Sequence, residues 1–412
     1  MIESGQIIDP VTGRAQLAAR LAEPAPGRIQ LLIGPCQVGK TTLMLDLARS
    51  LGPRALYFAA DGPEAELPGS WERLWLRAEE VSANHGKAVV LLDEIQRIEE
   101  WAAKLKAQWD RFRRLKVPIQ VVATGSSALD LGRGSKESLA GRFERMVLPH
   151  WAAGALAEVF GVPIDNAVDT IVRWGGYPGT MPLTDAPGRR LAYIRDAIIE
   201  PAIGRDLLAI HPVRRPALLR QVFALAARAP AQIVSLQKLQ GQLQDPGALE
   251  TIAHYLGLLE DAFLVAGLEK HSGRTIRQRA APPKLVVLTH AILAALDPRG
   301  APDPITDPAR FGTWIENACL SHAWNAGQQV RYWREEPLEV DGILEGSWGQ
   351  WAIEVKTGEY GVRDLAGLLE FTTRFPAYRP LVVCDEAHLR IAKRVGIQAM
   401  SWREFLASKG PS

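Results

Sequence analysis

The sequence predicts an α/β protein: a five-stranded parallel sheet around a phosphate-binding loop, then helical segments, then a second α/β domain. Three observations carry this. Residues 29–42, IQLLIGPCQVGKTT, run an apolar strand through a glycine-bearing loop into a helix. Four more short apolar runs follow, ALYFAA (55–60), AVVLLDE (88–94), VPIQVVATGSS (117–127) and RMVLPH (145–150), and two of them end in acids or hydroxyls. Far downstream, WAIEVKTG (351–358) reads as a buried strand carrying Glu354 and Lys356 on one face, because a strand alternates its faces.

The chain has 412 residues, which is too long for a single core. Four parts are expected: a nucleotide-binding core over 1–152, a helical lid over 153–212, a helical module with a hairpin over 213–281, and the terminal α/β domain over 282–412. With 47% apolar and 23% charged residues the composition is that of a globular chain. A net charge of +2 neither demands nor excludes a nucleic-acid partner, so local clusters must decide. Cys36, Cys319 and Cys384 form no zinc spacing and no disulfide framework, which fits a reducing compartment. The N-terminal MIESGQIIDP lacks a basic region followed by an apolar run, so no signal peptide is expected. The longest apolar stretch, 285–296, is too short to span a bilayer. The expected location is cytoplasmic, with no membrane partner.

The first strand, loop and helix give GxxxxGKT in its required context. Gly34 and Gly39 let the backbone wrap closely around phosphate, and the loop Pro35-Cys36-Gln37-Val38 with the helix start forms the nucleotide-binding turn, whose backbone N–H groups face the anion. Lys40 is placed to reach the β- and γ-phosphates, Thr41 to give a hydroxyl to Mg²⁺, and Thr42 closes the motif. ATP and Mg²⁺ are the expected cofactors. The 88–94 run has the continuous apolar character of a strand buried on both faces. It ends in Asp93 and Glu94, where strand C-termini meet ligands in open α/β sheets. Asp93 is expected to hold Mg²⁺ and Glu94 to polarise the attacking water. The 117–127 run ends in Thr124 and Ser126, either of which can sense the γ-phosphate.

GPCQVGKTTL, LLDEIQRIEEW, ATGSSALDL and SLAGRFERMVLPHW together resemble the AAA+ ATPases that carry a C-terminal domain of unknown function, the DUF4143 family. The resemblance covers nearly the whole chain. It implies an AAA+ P-loop ATPase core and an oligomer, a hexameric ring among the options. It also implies an arginine near the last sheet strand that reaches the neighbouring subunit's nucleotide. Arg142 matches that position, with Arg145 and Arg133 as alternatives. Such a cation offsets charge on the transferred phosphoryl group. Cys36 departs from the family, which more often has arginine there. WGGYPG (174–179) matches the family's Gly-Gly-x-Pro turn, so Pro178 is the residue expected near the nucleotide base. Arg205, in GRDL, matches as well, as a nucleotide contact or as a partner of Asp206.

Residues 218–265 carry helical spacing. The segment 245–260 reads as one helix with Asp245 as N-cap and Pro246 at the first position. AFLVAGLEKHSGRTIRQRA then reads as a hairpin turning at Ser272-Gly273. Helix, helix and hairpin outline a winged-helix module. Its hairpin carries Lys270, Arg274, Arg277 and Arg279 with no acid between the arginines, a cluster suited either to DNA phosphates or to solvent and protein contacts. KLKAQWDRFRRLK (104–116) is read as a solvated helix face.

The last third orders a helix with Glu316, a strand, a second strand with Asp341, the strand with Glu354 and Lys356, a helix and a strand. This is the PD-(D/E)xK nuclease pattern, and it matches the family's C-terminal half. Asp341 and Glu354, with Glu316 added from the helix, are the expected Mg²⁺ ligands, and Lys356 is expected to activate water. The alternative is a retained fold whose Glu354–Lys356 pair is a structural contact and whose surface holds DNA or a protein partner.

Overall fold

The computed structural model describes residues 5–125, 139–208, 213–245, 247–272 and 281–411, without the side chains of Arg205 and Asp206. The chain forms two compact units, residues 2–149 and 150–412.

The first unit contains β1 (Gln6–Ile7), α1 (Gly13–Leu21), β2 (Ile29–Ile33), α2 (Lys40–Leu51), β3 (Ala55–Ala59), α3 (Ser70–His85), β4 (Ala88–Asp93), α4 (Trp101–Leu115), β5 (Ile119–Thr124) and β6 (Phe143–Val147). The sheet order is β1-β6-β2-β5-β4-β3 and every pairing is parallel. The five strands expected from sequence are all present, and the two-residue β1 extends the sheet at one edge. β2, β4 and β5 are buried at every position, which is why their sequences are continuous apolar runs rather than alternating ones. Helix α4 buries Ala102, Leu105, Trp109 and Phe112 on one stripe, and Lys104, Arg113, Arg114 and Lys116 are exposed. The 104–116 cluster is thus the outward face of an amphipathic helix.

The second unit begins with α5 (Ala153–Phe160) and α6 (Ile164–Trp174). A Gly-Gly turn follows, then a 3₁₀ segment over Pro178–Leu183 and helical turns from Pro187 to Leu207. The turn is glycine-bound by close packing: a Cβ on Gly176 would lie 2.1 Å from the Trp151 carbonyl oxygen, and one on Gly175 would lie 2.5 Å from the Ala291 nitrogen. Next come α7 (Pro216–Ala227), β7 (Gln232–Ile233), α8 (Leu236–Gln240), α9 (Leu249–Asp261), β8 (Val265–Leu268) and β9 (Lys284–Val287). β7, β9 and β8 form an antiparallel sheet in that order. Helix α9 starts at Leu249, not beside Asp245. Asp245 takes a left-handed conformation, φ 51°, and its carboxylate is held by Arg215 instead of capping the helix. Pro246 lies outside the described residues. β9 falls beyond residue 281, so the small sheet runs into the stretch expected to open the terminal domain.

The terminal elements are α10 (Pro308–Asn325), β10 (Gln329–Glu335), β11 (Leu338–Gly346), β12 (Gly349–Lys356), α11 (Ala366–Arg374), β13 (Arg379–Cys384) and β14 (Gln398–Ser401). The sheet order is β10-β11-β12-β13-β14, antiparallel for the first three strands and parallel for the rest. Its core includes Trp333, Ile343, Leu368, Phe371 and Val382. The backbone of 269–271 lies against the β10 edge: the Tyr332 N–H donates to the Glu269 carbonyl (3.2 Å) and the His271 N–H to the Tyr332 carbonyl (2.6 Å). Among the described residues no helix is long and apolar enough to cross a membrane.

Candidate functional site

The phosphate cradle is set by backbone constraints. A Cβ on Gly34 would lie 2.0 Å from the Leu148 carbonyl oxygen, so only glycine fits. Gly39 caps α2 with φ 97°, and Gln37 has φ 64°. Pro35 and Val38 are buried, Cys36 and Gly39 half-buried, and Gln37, Thr41 and Thr42 exposed. The buried Lys40 side chain turns back into the loop, where Nζ donates to the carbonyls of Gly34 (2.9 Å) and Pro35 (2.8 Å). The ammonium thus sits within the loop that is to receive phosphate.

Asp93 ends β4 and is buried. Its Oδ2 accepts from the Tyr57 hydroxyl (2.7 Å), and its Oδ1 accepts from the Thr124 hydroxyl. Burial, and then that hydrogen bond to Asp93, push the Tyr57 hydroxyl above its usual range. Glu94 has φ 51°, and its N–H donates to Thr124 Oγ1 (3.2 Å), while its carboxylate accepts from Gln96. Thr124 therefore ties Asp93 and Glu94 together. Ser126 and Arg133 lie outside the described residues. The residues fit ATP with Mg²⁺: glycine stands where the backbone leaves no room for a side chain, Thr41 is exposed, and Asp93 stands at the strand end.

Tyr57 was not singled out from sequence. The signal was there: β3 pairs with β4 so that Ala59 faces Asp93, and Tyr57 lies two residues back on the same face.

Arg142 precedes β6. Its carbonyl accepts from the N–H of Ile29, the first residue of β2, so it lies at the opposite end of the strands from its own P-loop. Its guanidinium makes two bonds to Asp110 (2.8 and 3.3 Å) and one to the Ala140 carbonyl (3.1 Å), and it packs over Trp109. Pro178 begins the 3₁₀ segment of the second unit. The Arg205 side chain is outside the described residues. So are Arg274, Arg277 and Arg279, while Lys270 is half-buried where its backbone bridges to Tyr332.

In the terminal domain, Asp341 on β11 and Glu354 on β12 come together with Glu316 on α10. The Asp341 Oδ2 accepts the Val355 N–H (2.8 Å), and the Glu354 Oε1 accepts from Lys356 Nζ (2.7 Å). Sequence reading missed Lys284 of β9. It is 1% exposed, and its Nζ lies 2.5 Å from Glu316 Oε1 and 3.4 Å from both Asp341 Oδ1 and Glu339 Oε1. It also donates to the Asp341 carbonyl (3.3 Å). Burial works against its charge, but the carboxylates of Glu316, Asp341 and Glu339 outweigh that and hold its pKa above the ordinary lysine range. Burial, then the Asp341 carboxylate, push Glu316 and Glu354 well above the usual carboxylate range, against the pull of Lys284 and Lys356. Among the described residues no group of three or more acids, histidines or cysteines has metal-site geometry. With Lys284 between them, Glu316 and Asp341 do not fit a Mg²⁺ ion.

Residues 26–154 match the family model described as an AAA domain, residues 165–303 a domain of unknown function, DUF8612, and residues 311–405 a domain of unknown function, DUF4143. The chain thus carries an AAA domain in its first part and a DUF4143 domain in its last, as the resemblance implied. Solved structures similar to it include the RuvB Holliday junction branch migration motor of Thermotoga maritima (19% identity, 63% of this chain and 90% of that one, TM-score 0.32). The Orc1 protein of Aeropyrum pernix in complex with DNA is similar at 15% identity, over 69% of this chain and 90% of that one, with TM-score 0.27. Among curated proteins no match is found.

Proposed function

We propose that this chain is an ATP-binding and ATP-hydrolysing AAA+ protein that acts on DNA as a motor or remodelling ATPase. The observation that carries the reading is the meeting of the P-loop at the end of β2 with Asp93, Glu94 and Thr124 at the ends of β4 and β5. Lys40, now on two loop carbonyls, would reach the β- and γ-phosphates, and Thr41 and Asp93 would hold Mg²⁺. Glu94 orients the water, with Thr124 or Ser126 reading the γ-phosphate. Pro178 lies near the base. The chain works as an oligomer, a hexameric ring among the options, in which Arg142 serves a neighbour's nucleotide. Its distance from its own P-loop supports a role in trans: the five residues of β2 span roughly 15 Å at strand rise. The segment from 213 to β9 is a winged helix, and Lys270, Arg274, Arg277 and Arg279 contact DNA phosphates. The site of action is cytoplasmic. The test is the ATPase rate with and without single-stranded, duplex and branched DNA: stimulation by one form is expected, and indifference to all three sinks the DNA reading.

A second reading is a nucleotide-dependent switch whose terminal domain binds a protein partner and does not cut DNA. It is favoured by the ammonium of Lys284 standing inside the nuclease-like acidic cluster.

A further inference from the structure

The acidic cluster of the terminal domain is built as a cation site, and a lysine from another element fills it. Lys284 reaches the cluster from β9, more than fifty residues before Asp341 in sequence, and its ammonium meets oxygens from α10 and β11. Four oxygens lie within 3.4 Å of Nζ: one each from Glu316 and Glu339, and the carboxylate and carbonyl of Asp341. This is the shell a hard cation takes, all oxygen and mostly carboxylate, widened from about 2.1 Å for Mg²⁺ to hydrogen-bond distance. A buried ammonium is tolerated only when paired and hydrogen-bonded, and here each of its neighbours is an acceptor. The remaining ligand candidate is occupied in part as well. Glu354 gives one oxygen to Lys356, and its Oε2 is buried with no hydrogen-bond partner. A divalent ion placed among the same oxygens would stand beside a fixed positive charge in a water-poor pocket, where repulsion is strong.

We propose that Lys284 is a built-in replacement for a divalent cation, so that the Glu316–Glu339–Asp341 cluster holds together without metal, and that removing its ammonium opens a divalent-cation site among these carboxylates. Mg²⁺ or Mn²⁺ is the ligand class, since the donors are all oxygen and two or three carboxylates suffice. With the ammonium in place, the native terminal domain has no room for a water-activating metal among these carboxylates.

The test is Mn²⁺ binding to the full chain without nucleotide, read from loss of the free-ion paramagnetic resonance signal and from divalent-dependent thermal melting. The variants are Asp341→Asn, Lys284→Met and Lys284→Met with Asp341→Asn. The wild type is expected to take up no Mn²⁺ that Asp341→Asn removes. Lys284→Met is expected to bind about one additional ion per chain, to melt higher with Mn²⁺ or Mg²⁺, and to lose both effects with Asp341→Asn. Weak uptake at the P-loop is common to all variants and cancels in the comparison. A wild-type ion that depends on Asp341 overturns the proposal, as does a folded Lys284→Met that binds nothing extra. If Lys284→Met fails to fold in chelator, Lys284→Met with Glu316→Gln relieves one of the stranded charges and repeats the measurement. If neither variant folds with or without divalent ions, the wild-type comparison with Asp341→Asn decides alone.

Discussion

At the residue scale, the nucleotide site turns on single side chains whose partners are now defined. Lys40 is the loop's only side-chain cation, and it presently bonds two loop carbonyls. Lys40→Ala is expected to abolish tight ATP binding, measured by fluorescent-nucleotide titration. Glu94→Gln should keep binding and stop hydrolysis, because it alters water activation and not phosphate grip; turnover at the wild-type rate would refute the assignment. Thr124 is the joint between Asp93 and the Glu94 backbone. Thr124→Val removes the hydroxyl that serves the half-buried Glu94 N–H and the buried Asp93 carboxylate, a cost of about 1–3 kcal/mol. The variant should melt lower and hydrolyse ATP more slowly, whereas Thr124→Ser, which keeps the hydroxyl, should retain most of both.

At the scale of elements, two packing features make predictions. The turn after α6 has no room for a side chain, since a Cβ on Gly176 meets a backbone oxygen that cannot step aside. Gly176→Ala should therefore destabilise the second unit by more than an exposed substitution would, about 1–3 kcal/mol on the scale of overpacking, read by denaturant unfolding. The start of β6 carries Arg142, tied to Asp110 of α4. If it serves a neighbour, Arg142→Ala binds ATP normally and hydrolyses it slowly. Mixing it with Lys40→Ala should then restore part of the rate, because some mixed interfaces pair an intact loop with an intact arginine. No recovery, with subunit exchange shown independently, would leave Arg142 as the anchor of α4. The sequence showed these elements unevenly. The sheet strands were legible because continuous apolar runs have few other uses, and the helix, three strands, helix and strand of the terminal mixed sheet were legible because each is a separate run with its own period. The start of α9 was not: Asp245 and Pro246 have the chemistry of a helix start, but Arg215, thirty residues away, holds the Asp245 carboxylate.

At the scale of the whole molecule, buried histidines make part of the stability depend on pH. His150 and His290 are buried, and each ring bonds a backbone carbonyl, of Phe263 (2.8 Å) and Val172 (2.7 Å). Burial pushes both down to about 4. Their folded values lie below the unfolded value of about 6.5, so the unfolded chain binds more protons between those limits. Stability is fully present above the unfolded value and is lost as pH falls through that window toward 4. Glu316 and Glu354, raised in the fold, work the other way and add stability as pH falls. The histidine part is therefore read by difference: between about pH 6.5 and about pH 4, His290→Gln should lose less melting temperature on acidification than the wild type.

The sequence by itself determined the nucleotide loop, the acidic strand end and the order of the terminal domain, because each is written in contiguous residues whose spacing matches a local period or a loop of fixed length. Tertiary structure decided which side chains meet across elements. Tyr57 reaches Asp93 only because β3 lies beside β4 in one register, and Arg142 meets Asp110 only because β6 starts beside α4. Lys284 is the clearest case. In sequence it is one basic residue before an apolar run, and nothing around it signals a partner. The fold carries β9 against the acidic strands, and burial then makes the charge choice for it: an ammonium out of water must find carboxylates, and carboxylates gathered at a strand end must find a cation.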